Sequence, residues 1–149
     1  EFFKECDEIW PAGDIGGIDL ADELANFKPL KAVYGNTDGW EVRREYPMIQ
    51  IFNAEDLKVI MTHIGGYPSH YEPEIKGLIV KERPNIFISG HSHILKIMQD
   101  KKYNLLHINP GAAGRNGFHK TITMVRFQID GKSIEKMEVF EQDRNTVGF

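Results

Sequence analysis

The chain has 149 residues, of which 41% are hydrophobic and 27% are charged, and its formal net charge is -4. This composition favours one folded domain with a buried core and argues against a disordered or single-sign interaction arm. The sequence offers no broad basic surface for nucleic acid, no second cysteine to pair with Cys6 and no apolar run long enough to cross a bilayer. We therefore expect a cytoplasmic protein that binds neither nucleic acid nor membranes.

The first part of the chain alternates short strand-like and helical segments. Residues 2–5 resemble the end of a helix and residues 8–10 a short strand, so we expect that an upstream strand and helix are missing from this sequence. The spacing of Leu20, Leu24 and Phe27 predicts a helix that begins near Gly17 and ends at Pro29. The next predicted segments are a strand at 31–34, a loop or short helix at 39–46, strands at 48–52 and 57–61, a helix from a Ser69 and Glu72 capping box to Arg83, and a strand at 86–88.

The last third of the chain contains strand-like segments without helices between them. These segments are 94–99, 104–108, 121–129 and 133–140, and Asp130-Gly131 predicts a hairpin turn between the last two. Strands and helices that alternate first and are followed by hairpins predict an α/β (α+β) fold, with a mixed sheet and outer helices or two such sheets packed together. No linker divides the chain, so residues 1–149 are expected to form a single domain.

Four short motifs with metal-capable side chains follow predicted strands. They are Gly13-Asp14, Gly35-Asn36-Thr37-Asp38, Thr62-His63 and Gly90-His91-Ser92-His93. Because ligand crevices in open α/β sheets lie at the carboxyl ends of strands, Asp14, Asn36, His63 and His91 are expected to share one pocket. Such ligands suit a divalent ion that keeps open positions for water and substrate, whereas a structural zinc site would need paired Cys, or Cys and His, at short spacing.

Plainer interpretations exist for several of these residues. Gly90-His91-Ser92-His93 alone could be a polar turn, Asp38 could hydrogen-bond its own loop, and residues 65–68 are more simply a turn than a substrate lid. Arg115 in the loop at 114–120 could contact a phosphate, although a solvated loop is the simpler explanation. Three histidines are left out of the metal site: His70 at a predicted helix start, His107 in a strand and His119 in a loop.

In this order the motifs resemble those of the calcineurin-like metallophosphoesterase family, particularly its small bacterial and archaeal phosphodiesterase branch. The family pattern is Asp-x-His, Gly-Asp, Gly-Asn-His followed by Asp or Glu, a later His, and Gly-His-x-His. This chain has all but the first motif, with Thr37 in place of the His of the third, and Asn109-Pro110-Gly111 matches the family's Asn-Pro-Gly turn. The resemblance implies a four-layer αββα sandwich with mixed sheets, whose first strand would be missing here through N-terminal truncation.

By the same resemblance, Asp14 bridges two divalent metal ions, Asn36, His63 and His91 complete one ion site, and His93 belongs to the other. Manganese is the first expectation, and zinc, iron or nickel would tolerate the same ligands. The implied activity is hydrolysis of a small-molecule phosphoester, foremost a phosphodiester, by a metal-bound hydroxide. Asn36 and Arg115 are candidate substrate contacts.

Three departures from the family pattern keep other interpretations open. Without Asp-x-His the chain can complete one ion site and only part of the other, and Thr37 cannot act as a general acid near neutral pH. Pro11 replaces a His that many relatives carry, a change for which we have no physical account. The alternatives are an inactive or weakly active interaction scaffold, like the phosphoesterase-like subunit of retromer, and a truncated phosphoesterase. A homo-oligomer is compatible with the sequence.

Overall fold

The computed structural model describes residues 1–115 and 117–146. Its strands are β1 (Ile49–Ala54), β2 (Leu57–Thr62), β3 (Gly66–Tyr67), β4 (His70–Tyr71), β5 (Ile86–Ile88), β6 (Leu95–Asp100), β7 (Leu105–Pro110), β8 (Thr121–Asp130) and β9 (Ser133–Asp143). Its helices are α1 (Ile18–Phe27), α2 (Trp40–Glu45) and α3 (Pro73–Glu82), and a 3-10 turn spans Arg144–Thr146. Within these described residues, no helix is long and apolar enough to cross a membrane.

A five-stranded mixed sheet with the order β1-β2-β5-β7-β6 forms the centre of the fold. The three middle strands, β2, β5 and β7, pair in parallel, whereas β1 and β6 are antiparallel to their neighbours. The carboxyl ends of parallel strands meet at one edge of a sheet. The residues that follow β2 and β5, which are His63 and the Ser89-Gly90-His91 segment, therefore leave the sheet at the same edge.

Two extended segments near the N-terminus run parallel to each other and lead to the other two motifs. Single bridges join Ile9 to Leu30 and Ala12 to Val33. The strands predicted at 8–10 and 31–34 are therefore isolated bridges rather than full strands. Pro11 explains part of this shortening because proline has no backbone N–H to donate to a ladder. Residues 2–5, predicted as the end of a helix, form turns instead.

Helices and a long hairpin cover the two faces of the central sheet. Helix α3 packs Ile75 and Ile79 against Ile60 and Phe87 on one face. The β8–β9 hairpin packs against the opposite face, and its contacts include Val125, Phe127 and Met137. Helices α1 and α2 form a further cluster around residues 30–34 with Ala21, Ala32 and Val42. The expected mixed α/β class, with helices outside the sheets, is confirmed.

The capping box predicted at Ser69 and Glu72 is wrong. Residues 66–71 form the small β3–β4 hairpin, which places His70 in a strand rather than at a helix start. Helix α3 begins at Pro73, and Glu72 is its N-cap without a side-chain capping bond. Proline suits the first helical position because its φ is fixed and its missing N–H is not needed there.

His107 is buried in β7, only 1% exposed, and stacks on Phe87 with 5.4 Å between ring centroids. Its Nδ1 donates to the Phe87 carbonyl oxygen at 3.2 Å, and among the described residues its buried Nε2 has no hydrogen-bond partner. Burial lowers the pKa of His107 to about 4, opposed by the Phe87 hydrogen bond and assisted by the charge of Lys96. The ring is therefore neutral in the folded protein near pH 7.

We expect the free energy of unfolding to fall as the pH falls from about 6.5 towards about 4, because the unfolded chain protonates His107 more readily than the folded chain does. The loss is at most about 3 kcal/mol, since one pKa unit corresponds to about 1.4 kcal/mol. Urea denaturation above and below this pH window measures it. His107→Gln should flatten the pH dependence, whereas His119→Gln in an exposed loop should not. Identical pH dependence in all three proteins would contradict this assignment.

Candidate metal centre

Four of the predicted ligands meet at the carboxyl-end edge of the sheet. The His63 Nε2 atom lies 3.1 Å from the Asn36 Oδ1 atom and 3.1 Å from the Asp14 Oδ2 atom. The His91 Nδ1 atom lies 3.1 Å from the same Asn36 oxygen. Asp14, Asn36, His63 and His91 thus form one cluster drawn from four separate loops, as the strand-end argument predicts.

The tautomer of His63 creates an excess of lone pairs in this cluster. Its Nδ1 lies 2.7 Å from the carbonyl oxygen of Ala12, which can only accept, so Nδ1 carries a proton. In the neutral ring, Nε2 therefore presents a lone pair towards the oxygens of Asp14 and Asn36. Three acceptors that face one another are stable only with a proton or a metal cation between them. The arrangement suits a divalent cation, for which imidazole nitrogen and carboxylate and amide oxygens are good ligands.

Asp14 is held as a carboxylate. Partial burial raises the pKa of its carboxyl group, but hydrogen bonds from Thr37 and the nearby rings of His63 and His91 outweigh that effect and leave the pKa below its ordinary value. One of these bonds runs from the Thr37 backbone N–H to Oδ1 at 2.9 Å. The other oxygen, Oδ2, faces His63. The carboxylate thus presents its two oxygens to different neighbours.

Asp38 connects the loop that carries Asp14 to the loop that carries Asn36. This carboxylate is only 5% exposed, and it accepts backbone hydrogen bonds from Ile15 at 3.2 Å, Gly16 at 3.1 Å and Gly35 at 2.8 Å. The sequence alone predicts only the bond within the loop of Asp38 itself. The bonds to residues 15 and 16 depend on the three-dimensional approach of the two loops, which no local spacing reveals.

Two further side chains support the cluster and were not predicted to do so. Arg43 donates from Nε to the Asp38 carbonyl oxygen at 2.7 Å and from Nη2 to the Asn36 carbonyl oxygen at 2.9 Å. Asn109 donates from Nδ2 to the Gly90 carbonyl oxygen at 2.9 Å. These contacts fix the backbones on either side of the candidate ligands. The resemblance to the family's Asn-Pro-Gly turn was the only sequence signal for Asn109.

Close approach of the loops requires glycine at two positions. A Cβ atom on Gly13, whose φ is +89°, would lie 2.5 Å from the His63 ring, and a Cβ atom on Gly35 would overlap the Asp14 carboxylate. Three predicted ligands also have left-handed backbones, with φ values of 51° at Asp14, 65° at His91 and 60° at His93. Non-glycine residues in this region are strained, and such strain concentrates at functional sites.

His93 and Arg115 lie outside the four-residue cluster. His93 lines a separate cleft of about 160 Å³ together with His119 and Thr121. Its Nδ1 atom is buried and has no hydrogen-bond partner in the described part of the chain, so it has a lone pair or proton to offer a ligand. The sequence places His119 in an ordinary loop outside the metal site, and no sequence signal predicts its position beside His93. Arg115 is exposed in the loop after β7 and does not belong to the residues that line the cleft beside Asn36.

The amide of Asn36 is needed to complete the donor set. In residues 1–115 and 117–146, no three His, Cys, Asp or Glu side chains are placed to hold a metal ion by themselves. Asn36 Oδ1 connects His63 with His91, whose ring centroids are 5.3 Å apart. Asp14, Asn36, His63 and His91 are the residues that would hold one ion, and the unpartnered His93 nitrogen is the one available to a second.

Comparison with known proteins agrees with the motif order. The family model of the calcineurin-like phosphoesterase superfamily domain matches residues 1–132. A probable metallophosphoesterase from Methanothermobacter thermautotrophicus is 27% identical over 135 residues, which cover 89% of this chain and 75% of the relative.

Two solved structures share the fold at low sequence identity. Vps29 from Entamoeba histolytica, complexed with Zn²⁺, has a TM-score of 0.70 and 15% identity, covering 93% of this chain and 83% of that one. A structure characterised as that of a novel archaeal phosphodiesterase has a TM-score of 0.71 and 20% identity, covering 93% of this chain and 87% of that one.

Substitution of Asp38 by Asn tests whether this carboxylate holds the two ligand loops together. The amide replaces one accepting oxygen by an NH₂ group that faces backbone donors, so we expect a loss of about 3 kcal/mol in unfolding free energy. We also expect Mn²⁺ affinity, measured by calorimetry, to fall by roughly 10- to 100-fold. Asp22→Asn on the exposed face of α1 is the matched control. Wild-type Mn²⁺ affinity in Asp38→Asn would contradict the role given to Asp38.

Proposed function

The chain belongs to the calcineurin-like phosphoesterase superfamily, and we propose that it is a metal-dependent phosphodiesterase that acts on a small-molecule phosphoester. The observation that carries the proposal is the convergence of lone pairs from Asp14, Asn36 and His63 at 3.1 Å, with His91 beside them. In this cluster the Nε2 lone pair of His63 faces two oxygens, which a proton or a metal cation between them would satisfy, and this set of donor atoms suits a divalent cation. The identity of the metal, manganese in the first place, and the cytoplasmic location belong to the same proposal.

The residues divide between two ion positions in this proposal. Asp14 offers Oδ2 on the side of His63, and its Oδ1 accepts from Thr37 N–H, so the carboxylate is oriented by its own loop contact. Asp14 would contribute to both positions, Asn36, His63 and His91 would complete one of them, and His93 would belong to the other. When bound, divalent ions would polarise the phosphoryl oxygens and lower the pKa of a bound water to roughly 7.

The protein's own contribution is positioning and charge. His63 is only 4% exposed, and its Nδ1–H bond to Ala12 fixes the ring so that Nε2 faces the centre. Thr37 occupies the place where many relatives carry a His, and a hydroxyl cannot protonate a leaving group near neutral pH. We therefore propose that the reaction favours phosphoesters whose leaving group departs without strong acid assistance.

Turnover of bis(p-nitrophenyl) phosphate with Mn²⁺ tests the proposal. We expect metal-dependent release of p-nitrophenol by the wild-type chain and a loss on the order of 100-fold or more in Asp14→Ala, because the carboxylate ligand is removed. Asp19→Ala, an exposed carboxylate in the first turn of α1, is the matched control and should keep full activity. Turnover that does not respond to divalent ions, or survives in Asp14→Ala, would argue against a metal phosphodiesterase.

A second candidate function is an interaction scaffold on the same fold. It is favoured by the fold shared with Vps29 structures, with a TM-score of 0.71 for one from Entamoeba histolytica, and by Thr37 at the position of the family His. A scaffold would bind its protein partner equally well after chelation of metal and in His91→Ala. The phosphodiesterase would instead lose metal-dependent turnover in His91→Ala, so this one variant separates the two functions.

A further inference from the structure

A cleft of about 560 Å³ opens directly beside the metal centre. Asn36 and His63 form part of its lining, so the cleft is continuous with the candidate site. Resting on the proposed function, we propose that this cleft binds the organic substituent of the phosphate ester. The part of this substituent next to the phosphorus would be apolar. The part that reaches helix α3 would carry hydroxyl or amino groups rather than a second anionic group.

Apolar side chains make up one part of the cleft. Met48 and Ile64 line it and are 48% and 44% exposed, although both are large hydrophobic residues. Tyr34 adds an aromatic ring, and Ile49 and Ile75 complete the apolar lining. Ligand sites are typically concave and apolar with a few polar groups, and this cleft has a volume within their usual range of roughly 300 to 1,000 Å³.

Among the described residues, Arg43 is the only Lys or Arg that lines the cleft, and it lies on the side of the metal centre. Arg43 donates to the carbonyl oxygens of Asp38 and Asn36, and its guanidinium carbon lies 5.0 Å from the centroid of the Tyr34 ring. These contacts hold the positive charge next to the candidate ligand Asn36. A phosphoryl group bound at the metal centre would therefore lie beside a fixed cation.

Two carboxylates lie on the α3 side of the same cleft. Glu72 is the N-cap of α3 and Glu74 is in its first turn, and both line the cleft. Acidic residues at a helix N-terminus commonly stabilise the helix through its dipole. The side chain of Glu72, however, makes no capping hydrogen bond. Carboxylates accept hydrogen bonds from hydroxyl and amino groups and repel anions, so this side of the cleft selects against a second phosphate.

The apolar part of the proposal is tested by calorimetric binding of two phosphate monoesters to the Mn²⁺-loaded protein. Each has one organic substituent, so the phosphate is constant and only the occupant of the cleft changes. We expect phenyl phosphate to bind about tenfold more tightly than methyl phosphate, because the ring buries additional apolar surface. Met48→Ser should reduce the ratio of the two affinities, phenyl phosphate over methyl phosphate, to about threefold. Ile51→Ser, an exposed apolar residue of β1 that does not line the cleft, should leave it unchanged.

The charge selection is tested with 1,4-phenylene bisphosphate, which adds a second phosphate to the ring. We expect the wild-type protein to bind it about tenfold more weakly than phenyl phosphate. The double variant Glu72→Gln and Glu74→Gln should bring the two affinities to within about twofold. Glu23→Gln, on exposed α1 surface, is the matched control.

The outcomes separate this inference from the function on which it rests. Equal binding of phenyl and methyl phosphate, or an unchanged ratio in Met48→Ser, would overturn the cleft assignment while leaving metal-dependent hydrolysis intact. An unchanged preference in the Gln double variant would overturn the charge selection. Failure of both monoesters to bind the Mn²⁺-loaded protein would overturn this inference, whereas the proposed function is decided separately by the turnover of bis(p-nitrophenyl) phosphate. Selective binding of the monoesters by a protein that does not turn over bis(p-nitrophenyl) phosphate would support the cleft assignment and argue against hydrolysis alone.

Discussion

The candidate site depends on one buried carboxylate, Asp38, which joins two loops that are separated in sequence by some twenty residues. Its three backbone hydrogen bonds set the distance between the loop of Asp14 and the loop of Asn36. A charged acceptor with three N–H donors is among the stronger polar arrangements available to a protein, and it is shielded from water here. Because the Asp38 oxygens accept these backbone hydrogen bonds, the side chains of Asp14 and Asn36 remain available to a ligand.

Close packing of the loops has a conformational cost that the rest of the fold must offset. Asp14, His91 and His93 all lie in the left-handed region, where each non-glycine residue costs on the order of 1 to 3 kcal/mol. The compensation comes from the sheet beneath, where α3 and the β8–β9 hairpin bury the two faces. Rigid strands and strained loop ends together hold the candidate ligands in place, so that under the proposed function they would be positioned before an ion binds.

The sequence predicted the parts of this arrangement that depend on local pattern. Strand β5 at 86–88, the β8–β9 hairpin and the polar motifs that follow β2 and β5 were predicted from periodicity, turn residues and the rule for parallel sheets, whereas the other two motifs follow segments joined only by single bridges. The prediction of a helix start at Ser69 was wrong, because the pairing of the β3–β4 hairpin and the position of Pro73 outweighed the capping pattern. The sequence also could not show that Asp38 reaches Ile15, since that contact depends on tertiary approach alone.

The central claim is that Asp14, Asn36, His63 and His91 bind a divalent metal ion together. Diffraction from crystals grown with Mn²⁺, recorded to reveal anomalous scattering, tests it most directly. We predict an anomalous peak within about 2.3 Å of donor atoms from all four side chains. The absence of an anomalous peak among these four side chains at saturating Mn²⁺, whether or not an ion binds elsewhere, would contradict the account.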